Sequence, residues 1–316
     1  MSEAEPRTWN PTMRIAITGA TGFIGTALVD SLRQDRHDVV RLVRGTPLPN
    51  SGDVAWDPAR GALHPEALEG IDAAVHLAGA SISERWTPEH KRDIRESRLK
   101  GTRLLAETLA GLTRKPRVLV SGSAVGNYGD GGDRTLDETS ATGSGFLADV
   151  AREWEAAADP ARAAGIRVVH SRTGLVVSPR GGLLGTLLTP FKLGVGGRVG
   201  SGKQWQSWIA LHDTVRALRF ALEVETIVGP MNVTSPYPVT NEELTRTLAQ
   251  VLGRPHFATV PAFALRLALG AEMADELLLA GQRVLPRVLL DAGFQFHHPV
   301  LEEALRYELR SVSRIA

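Results

Sequence analysis

Apolar residues recur along the first half of the chain in two alternating patterns. Short continuous apolar runs, typical of buried strands, occupy 13–18, 39–44, 73–77, 117–120 and 167–177. Longer stretches with apolar side chains on one face predict helices over 22–34, 88–112 and 146–164. Because parallel strands need long crossovers, this alternation implies βαβ units. The pattern predicts an α/β fold with a doubly wound parallel sheet.

The pattern changes after residue 178. Glycine-rich segments between 181 and 202 surround a P-F-K-L run, and 240–316 has mostly helical spacing interrupted by prolines. We expect 13–177 and about 208–235 to form the domain that contains the sheet. The segments 178–207 and 236–316 are expected to form a smaller, mainly helical C-terminal lobe. Residues 1–12 have no strand or helix periodicity, so a disordered extension is expected there.

The strongest chemical signal is G-A-T-G-F-I-G at 19–25, between the first predicted strand and the first predicted helix. Glycine lets the backbone turn tightly and approach a pyrophosphate, whose charge a helix N-terminus stabilises. The spacing is G-x-x-G-x-x-G, and a plain strand–helix turn is the alternative interpretation. We interpret the segment as the dinucleotide loop of a Rossmann domain. Its predicted cofactor-binding residues are Gly19, Thr21, Gly22, Phe23, Ile24 and Gly25.

The end of the second strand indicates which dinucleotide binds. A carboxylate at this position takes the ribose 2′-hydroxyl of NAD, whereas an arginine accommodates the 2′-phosphate of NADP. Arg44 occupies the position here, and no Asp or Glu lies between Val39 and Gly52. A guanidinium is always charged and can bind phosphate through two N–H groups. Val43 and Arg44 therefore predict NADP as the cofactor, with a solvated strand-end arginine as the alternative.

Several motifs resemble, in their order along the chain, those of the extended short-chain dehydrogenase/reductase (SDR) superfamily. They are T-G-A-T-G-F-I-G, then H-L-A-G at 76–79, then S-G-S-A at 121–124. Longer segments are similar to an atypical epimerase-like subgroup, described as NAD(P)-dependent or nucleoside-diphosphate-sugar epimerase-like. These segments lie at 85–98, 123–130, 172–177, 190–209 and 284–296. The resemblance covers residues 13 to about 310.

The resemblance implies further cofactor contacts. Leu77, Ala78 and Gly79 would line the cofactor where a strand ends, Arg98 would face it, and Leu175 would pack near the nicotinamide. From periodicity alone, Arg98 would be an exposed charge on a helix and Leu175 an ordinary core leucine. The assignment of these residues to the cofactor therefore depends on the resemblance.

The chain departs from the superfamily at the Tyr-x-x-x-Lys pair, in which tyrosine transfers a proton and lysine lowers its pKa. Phe146 and Val150 stand at the corresponding positions and can do neither. Ser123 matches the superfamily's catalytic serine, or is a hydroxyl that satisfies backbone groups in a turn. Tyr128 is the nearest phenol and a possible proton donor, with packing as the alternative.

Composition narrows the remaining classes. The chain has 36 Lys and Arg residues against 35 Asp and Glu residues, and this near-zero net charge argues against a nucleic-acid binder. The absence of cysteine excludes disulfides and thiolate–zinc sites. No apolar run is long enough to span a bilayer, and no secretory signal is visible, so we expect a cytoplasmic protein without membrane contact. His297 and His298 are adjacent on an extended segment and would point apart, so no metal site is expected.

Two functions compete at this point. The first is an NADP(H)-binding, epimerase-like oxidoreductase acting on a small carbonyl or sugar-nucleotide-like substrate. The second is a non-catalytic module that binds NADPH and reports redox state to a protein partner. A polar pocket beside the nicotinamide would favour the enzyme, whereas a cavity filled by Phe146 and tryptophans would favour the sensor.

Overall fold

The structure, a computed structural model, describes residues 12–313 and confirms the α/β class with a doubly wound, mostly parallel sheet. The strands are β1 Arg14–Thr18, β2 Asp38–Val43, β3 Val54–Asp57, β4 Ala62–Leu63, β5 Ala73–His76, β6 Val118–Ala124, β7 Thr135–Leu136, β8 Arg167–Thr173, β9 Leu175–Val177, β10 Gly197–Val199, β11 Trp205–Gln206, β12 Trp208–Ala210, β13 Gly229–Val233, β14 Val239–Thr240, β15 Ala258–Val260 and β16 Arg283–Val284.

The α-helices alternate with these strands in the first half of the chain and dominate the second half. They are α1 Phe23–Gln34, α2 Pro88–Gly111, α3 Phe146–Ala156, α4 Asp159–Ala163, α5 Gly182–Lys192, α6 Leu211–Glu223, α7 Asn241–Leu252, α8 Ala262–Leu269, α9 Ala271–Ala274, α10 Arg287–Asp291 and α11 Leu301–Ser313. A π-helical turn, Asp275–Leu279, follows α9 directly.

Eight strands form the central sheet in the order β13-β8-β6-β5-β1-β2-β3-β4. Every neighbouring pair is parallel except β3 and β4, which form an antiparallel edge. The chain moves from β1 to β2 on one side and returns to β5 on the other side of β1. The carboxyl end of β1 is therefore the switch point of the sheet, where ligands of such folds bind.

Apolar side chains cover both faces of the sheet. One face packs against α1 and α6 through residues such as Leu28 and Leu218, both buried. The other face packs against α2 and α4, with Leu105 and Leu109 fully buried. Two-sided burial explains why β1, β5 and β6 read as continuous apolar runs and not as alternating patterns.

Two predicted elements are divided in the structure. The helix expected over 146–164 is two helices, α3 and α4, because the chain turns at 157–158. The strand expected over 167–177 breaks at Gly174, where a Cβ would lie 2.3 Å from the Ser207 carbonyl oxygen. Beyond this glycine β9 leaves the central sheet and pairs with β12. Strands β3 and β4 were not predicted.

A separate apolar cluster holds the second half of the chain together. It joins α5, α7 and α11 to β9 and β12, with Phe191, Trp208 and Leu248 almost completely buried. The proposed division into a sheet domain and a C-terminal lobe remains a prediction, and residues 1–11 of the expected extension lie outside the described residues. Between residues 12 and 313, no helix has the length and apolar character needed to cross a bilayer.

Glu308 on α11 is buried and accepts a hydrogen bond from the backbone N–H of His212. Burial raises its pKa to about 7. Since the native carboxylate then binds a proton more tightly than the unfolded one, this group lowers stability as the pH rises from about 4.5 to 7. We expect Glu308→Gln to be more stable than wild type at pH 8 by up to about 3 kcal/mol, and equally stable near pH 4.5.

Urea unfolding at both pH values measures this difference. Glu302→Gln, on the same helix but half-exposed and paired with Arg306, is the matched control and should change stability by less than about 0.5 kcal/mol. An equal stability difference at pH 4.5 and pH 8 would rule out the titration of Glu308 as its cause.

Candidate cofactor and active site

The glycine loop is a cradle of closely approaching backbone at the carboxyl end of β1. Gly19 has a φ of +66°, and a Cβ there would lie 2.7 Å from the carbonyl carbon of Leu77. A Cβ on Gly25 would lie 2.1 Å from the carbonyl oxygen of Gly19. Gly22 begins α1 without a side-chain cap, so the first-turn N–H groups remain open to an anion. The loop therefore has the shape that a dinucleotide pyrophosphate needs.

The remaining loop residues have different surroundings. Thr21 is exposed, Ile24 is half-buried at the edge of the core, and the Phe23 ring lies against Gly181 and Gly182. A Cβ on Gly181 would be 3.0 Å from that ring. Phe23 thus joins the predicted cofactor loop to the segment that starts the second half of the chain.

A buried polar contact fixes the neighbouring turn at 77–79. The Thr18 hydroxyl lies 2.7 Å from His76 Nδ1 and accepts hydrogen bonds from the backbone N–H groups of Leu77 and Ala78. Burial lowers the pKa of His76 to about 3, so this imidazole is neutral. The carboxyl ends of β1 and β5 are therefore held together beside the glycine cradle.

The end of β2 presents a free cation. Arg44 is exposed and has no hydrogen bond or ion pair with any other residue of 12–313, while Val43 is half-buried beside it. The nearest following acid, Asp53, is held by both Nε and Nη2 of Arg41 at 2.7 and 2.6 Å. At the end of β2, the Asp53 carboxylate is therefore paired with Arg41, whereas the Arg44 guanidinium is unpaired within the described residues.

A cavity of about 160 Å³ lies between the ends of β6, β8 and β9 and the C-terminal part of the chain. Leu175, Val150, Trp154 and Trp205 are among its lining residues, and Trp208 is not. Phe146 also lies outside the lining, where its ring packs on Trp86 with centroids 5.1 Å apart. The cavity is therefore not filled by Phe146.

Arg98 lines the same cavity from α2. Its Nη1 donates to the carbonyl oxygens of Ala80 and Ile94, and its guanidinium lies 5.0 Å from the Trp154 ring centre. Burial lowers the pKa of Arg98 to about 10. A Cβ on Gly79 would be 3.2 Å from Arg98 Cζ, so these two predicted cofactor residues are neighbours.

The N-terminus of α3 is capped from far along the chain. Gly145 precedes the helix with a φ of +109° and has no side chain that could cap it. The Glu276 carboxylate instead accepts hydrogen bonds from the backbone N–H groups of Phe146 and Leu147, both at 2.8 Å. A Cβ on Gly145 would lie 2.8 Å from Glu276 Oε1. Glu276 also lines the cavity, and it lies in the π-helical turn, a geometry frequent at functional sites.

Ser123 and Tyr128 belong to a buried polar network behind the cavity. The Ser123 hydroxyl donates to Glu155 Oε1 at 2.7 Å, and Glu155 forms a two-pronged ion pair with Arg172. The Tyr128 hydroxyl donates to Asn232 Oδ1 at 2.8 Å and accepts from Arg172. Tyr128 is only 2% exposed, and neither residue lines the cavity. This geometry favours the packing interpretation for Tyr128. The Ser123 hydroxyl is engaged by a carboxylate and not by the backbone groups of a turn.

Burial has opposing consequences within this network. It would raise the pKa of Glu155, but the adjacent Arg172 guanidinium outweighs it and lowers that pKa. It raises the pKa of Tyr128, against the smaller opposing effect of Arg172. The carboxylate is therefore charged and the phenol is neutral at physiological pH.

Both of the adjacent residues His297 and His298 contact His212. His297 stacks on His212, with His297 Nδ1 3.1 Å from His212 Nε2, whereas His298 packs edge-on against His212 and stacks on Tyr307. The buried Asp213 carboxylate accepts the backbone N–H groups of both adjacent histidines. Within 12–313, ligand atoms of His212, Asp213 and His297 lie within 4.8 Å of one another. Sequence spacing did not reveal His212, which comes from another element.

Fold and site together define an extended SDR protein with a Rossmann sheet, a dinucleotide cradle and an adjoining cavity. The model of the NAD dependent epimerase/dehydratase family matches residues 15–252, and that of a domain of unknown function, DUF1731, matches 260–308. The chain belongs to the NAD dependent epimerase/dehydratase family, and the cradle fits a nicotinamide dinucleotide as cofactor.

Similar proteins cover nearly the whole chain. The epimerase family protein Mb2239 of Mycobacterium bovis is 45% identical over 294 residues, which are 93% of this chain and 96% of that protein. YfhF of Bacillus subtilis is 40% identical over 297 residues, 93% of this chain and 97% of its own length. The crystal structure of the human epimerase family protein SDR39U1 with NADPH is 35% identical, with a TM-score of 0.85 over 94% of this chain and 99% of that chain.

The polar residues of the cavity that sequence reasoning missed include Glu276 and Gln206. Glu276 lies in a helical stretch where an acidic residue is ordinary, and only its contact with α3 distinguishes it. Gln206 follows Trp205 in the Q-W-Q-S-W segment, whose spacing does not distinguish one glutamine from the other. The two-residue pairing of β11 with β14 is the feature that fixes it in the structure, and no sequence pattern indicates so short a strand.

Proposed function

We propose that this protein is an NADP(H)-dependent, epimerase-like oxidoreductase that acts on a small carbonyl or sugar-nucleotide-like substrate. The observation that carries the proposal is the juxtaposition of the glycine cradle with a cavity lined by Leu175 and Arg98. Cofactor sites of doubly wound folds lie at the switch point, and the substrate binds beside the reactive end of the cofactor. A cytoplasmic location, expected from the sequence, is part of the proposal.

The preference for NADP over NAD rests on the end of β2. Arg44 is exposed and unpaired within the described chain, whereas Asp53 is neutralised by Arg41. The human relative, of 35% identity, was crystallised with NADPH. We therefore assign Arg44 to the 2′-phosphate, with Val43 beside the adenosine.

Bound cofactor would supply the hydride, and the residues of this chain would bind and orient it. The cradle at 19–25 would hold the pyrophosphate, and the turn at 77–79, fixed by Thr18, would support the dinucleotide. Leu175 would pack on the nicotinamide end of the cavity. Phe146 and Val150 have no ionisable proton to transfer, and the Ser123 and Tyr128 hydroxyls are engaged in hydrogen bonds. We therefore assign proton transfer to water in the cavity.

Calorimetric titration with NADPH and NADH tests the cofactor assignment. We expect tight NADPH binding, and we expect Arg44→Ala to weaken it by about 10- to 150-fold because a charge-assisted contact is lost. Its effect on NADH should be negligible. Arg60→Ala, an exposed arginine on the β3–β4 turn, removes the same charge and should leave both affinities unchanged.

Binding of neither nucleotide would contradict the proposed function. Equal weakening of NADPH and NADH by Arg44→Ala would contradict the assignment of this residue to the 2′-phosphate.

A non-catalytic, redox-sensing module with a protein partner remains the rival function, because Phe146 and Val150 replace the acid–base pair. The presence of a cavity with polar groups at its wall favours the enzyme. NADPH oxidation measured across a panel of carbonyl compounds and nucleotide sugars separates the two. Turnover of any member supports the enzyme, and tight NADPH binding without turnover supports the sensor.

A further inference from the structure

Arg98 is a half-buried cation without a counter-ion among the described residues. No Asp or Glu of the described residues approaches its guanidinium within ion-pair distance, and only Nη1 makes hydrogen bonds, both to carbonyl oxygens. Removing a guanidinium from water without a carboxylate is costly, so buried charges are normally paired. The guanidinium of Arg98 is therefore available to pair with an anionic ligand.

Arg98 lines the cavity and has two nitrogen atoms without an acceptor in the part of the chain that the structure describes. Within residues 12–313, its Nε and Nη2 donate to no protein acceptor, and Arg98 is the one cationic side chain in the cavity wall. The single acidic side chain of the wall, Glu276, uses both carboxylate oxygens to accept N–H groups of α3. Its charge is therefore committed to the helix terminus, and the guanidinium remains to attract an anion.

A second polar group faces the same space. Gln206 is 9% exposed and lines the cavity, and its carboxamide has no hydrogen-bond partner in the described part of the chain. Buried polar groups are nearly always hydrogen-bonded, so an unpaired carboxamide beside a cavity is available to a ligand. Arg98 and Gln206 together offer N–H donors and one acceptor in a wall that is mostly apolar and includes Leu175 and Val150.

The volume of the cavity restricts the ligand. It is about 160 Å³, below the roughly 300–1,000 Å³ of pockets that hold drug-sized ligands. A nicotinamide ring beside Leu175 would occupy part of it. The space left for the reacting part of a substrate favours a small molecule over a nucleoside diphosphate sugar.

We propose that the substrate is a small carbonyl or hydroxy compound that carries a carboxylate, bound by Arg98 and Gln206 beside the nicotinamide. This inference rests on the proposed function and specifies its substrate class. The guanidinium pairs with the carboxylate, and the carboxamide donates to the carbonyl oxygen or accepts from the hydroxyl. Arg98, assigned to the cofactor by resemblance, is in this proposal a substrate-binding residue at the border of the two ligands.

Benzoylformate and its methyl ester provide the test, since they share a carbonyl and a shape and differ in charge. Each is titrated by calorimetry into protein loaded with NADP⁺, which has no hydride to transfer, so binding is measured without turnover. We expect benzoylformate to bind at least about ten-fold more tightly than the ester, the size of one charge-assisted contact. In Arg98→Gln the acid and the ester should bind with about equal affinity. Arg98→Lys should keep part of the preference for the acid.

Arg92→Gln is the matched control. Arg92 lies on the same helix but is exposed and outside the wall of the cavity, so the preference for the acid should persist in this variant. The NADP⁺ affinity of each variant, measured in the same experiment, reports whether the protein is folded and able to bind its cofactor.

Three results would overturn the proposal. The first is that acid and ester bind with equal affinity, or that neither binds measurably. The second is that the preference for the acid is unchanged in Arg98→Gln. The third is that Arg98→Gln loses NADP⁺ affinity whereas Arg92→Gln does not, which would assign the guanidinium to the cofactor phosphates. Failure of the wild-type protein to bind NADP⁺ would instead contradict the proposed function. In that case an Arg98-dependent preference for the acid in the unloaded protein would still support an anion site.

Discussion

Substitution of alanine for Gly25 is expected to weaken NADPH binding by at least about 100-fold, because the added methyl group has no space. Its Cβ would lie 2.1 Å from the carbonyl oxygen of Gly19 and 2.9 Å from the Cα of Ala20. Both are backbone atoms and cannot rotate away as a side chain would. The first turn of α1 must therefore move away from the loop, and the N–H groups that would hold the pyrophosphate move with it.

Gly111→Ala is the matched control for this prediction. Gly111 ends α2, and a Cβ there meets no atom within 4 Å. Alanine favours helix over glycine by up to about 1 kcal/mol, so the control should bind NADPH normally and be slightly more stable. Calorimetry and thermal unfolding of both variants check the pair. Wild-type NADPH affinity in Gly25→Ala would show that the cradle does not hold the cofactor.

The largest effect on stability is expected at Arg172. Arg172→Met leaves the Glu155 carboxylate buried without its cation and removes a hydrogen-bond donor to the Tyr128 hydroxyl. Breaking a buried ion pair in this way lowers the free energy of unfolding by about 3–5 kcal/mol. Replacing both partners removes the uncompensated charge. Glu155→Gln combined with Arg172→Met should therefore be more stable than Arg172→Met alone.

Urea unfolding of the single and double variants measures these differences. Arg103→Met, which breaks an exposed pair with Glu107 one turn along α2, should cost less than about 1 kcal/mol. If Arg172→Met were no more destabilising than Arg103→Met, the buried pair would not be contributing to the fold. Additive effects of Glu155→Gln and Arg172→Met would show that the two side chains are not energetically coupled.

The central sheet and the cradle were predictable because their signals are local. The apolar runs that form β1, β5 and β6 are buried on both faces, and Gly19, Gly22 and Gly25 follow β1 directly. The break at Gly174 was not predictable in the same way. It depends on the Ser207 carbonyl group, which a different strand brings against the glycine.

The site was less predictable than the fold because its partners are distant in sequence. Periodicity predicts that Arg98 is an exposed helix charge, yet it is half-buried beside Gly79 and Trp154, at the ends of β5 and α3. Ser123 aligns with a catalytic serine, yet Glu155, 32 residues away, takes its hydroxyl. Such contacts exist only once the chain has folded, and no spacing rule connects their members.

The cap of α3 has a consequence for the order in which a nascent chain folds. Phe146 receives its cap from Glu276, 130 residues later, and Gly145 provides no substitute. At synthesis rates of about 5–20 residues per second, α3 emerges from the ribosome roughly 7–26 s before its cap. When α3 emerges, the glycine cradle and the sheet strands from β1 to β6 are already synthesised. Strands β8 and β13 follow during the interval, and the wall of the cavity stays incomplete until residue 276 and its neighbours are made. A chain released before residue 276 would carry the dinucleotide cradle without a finished place for the substrate.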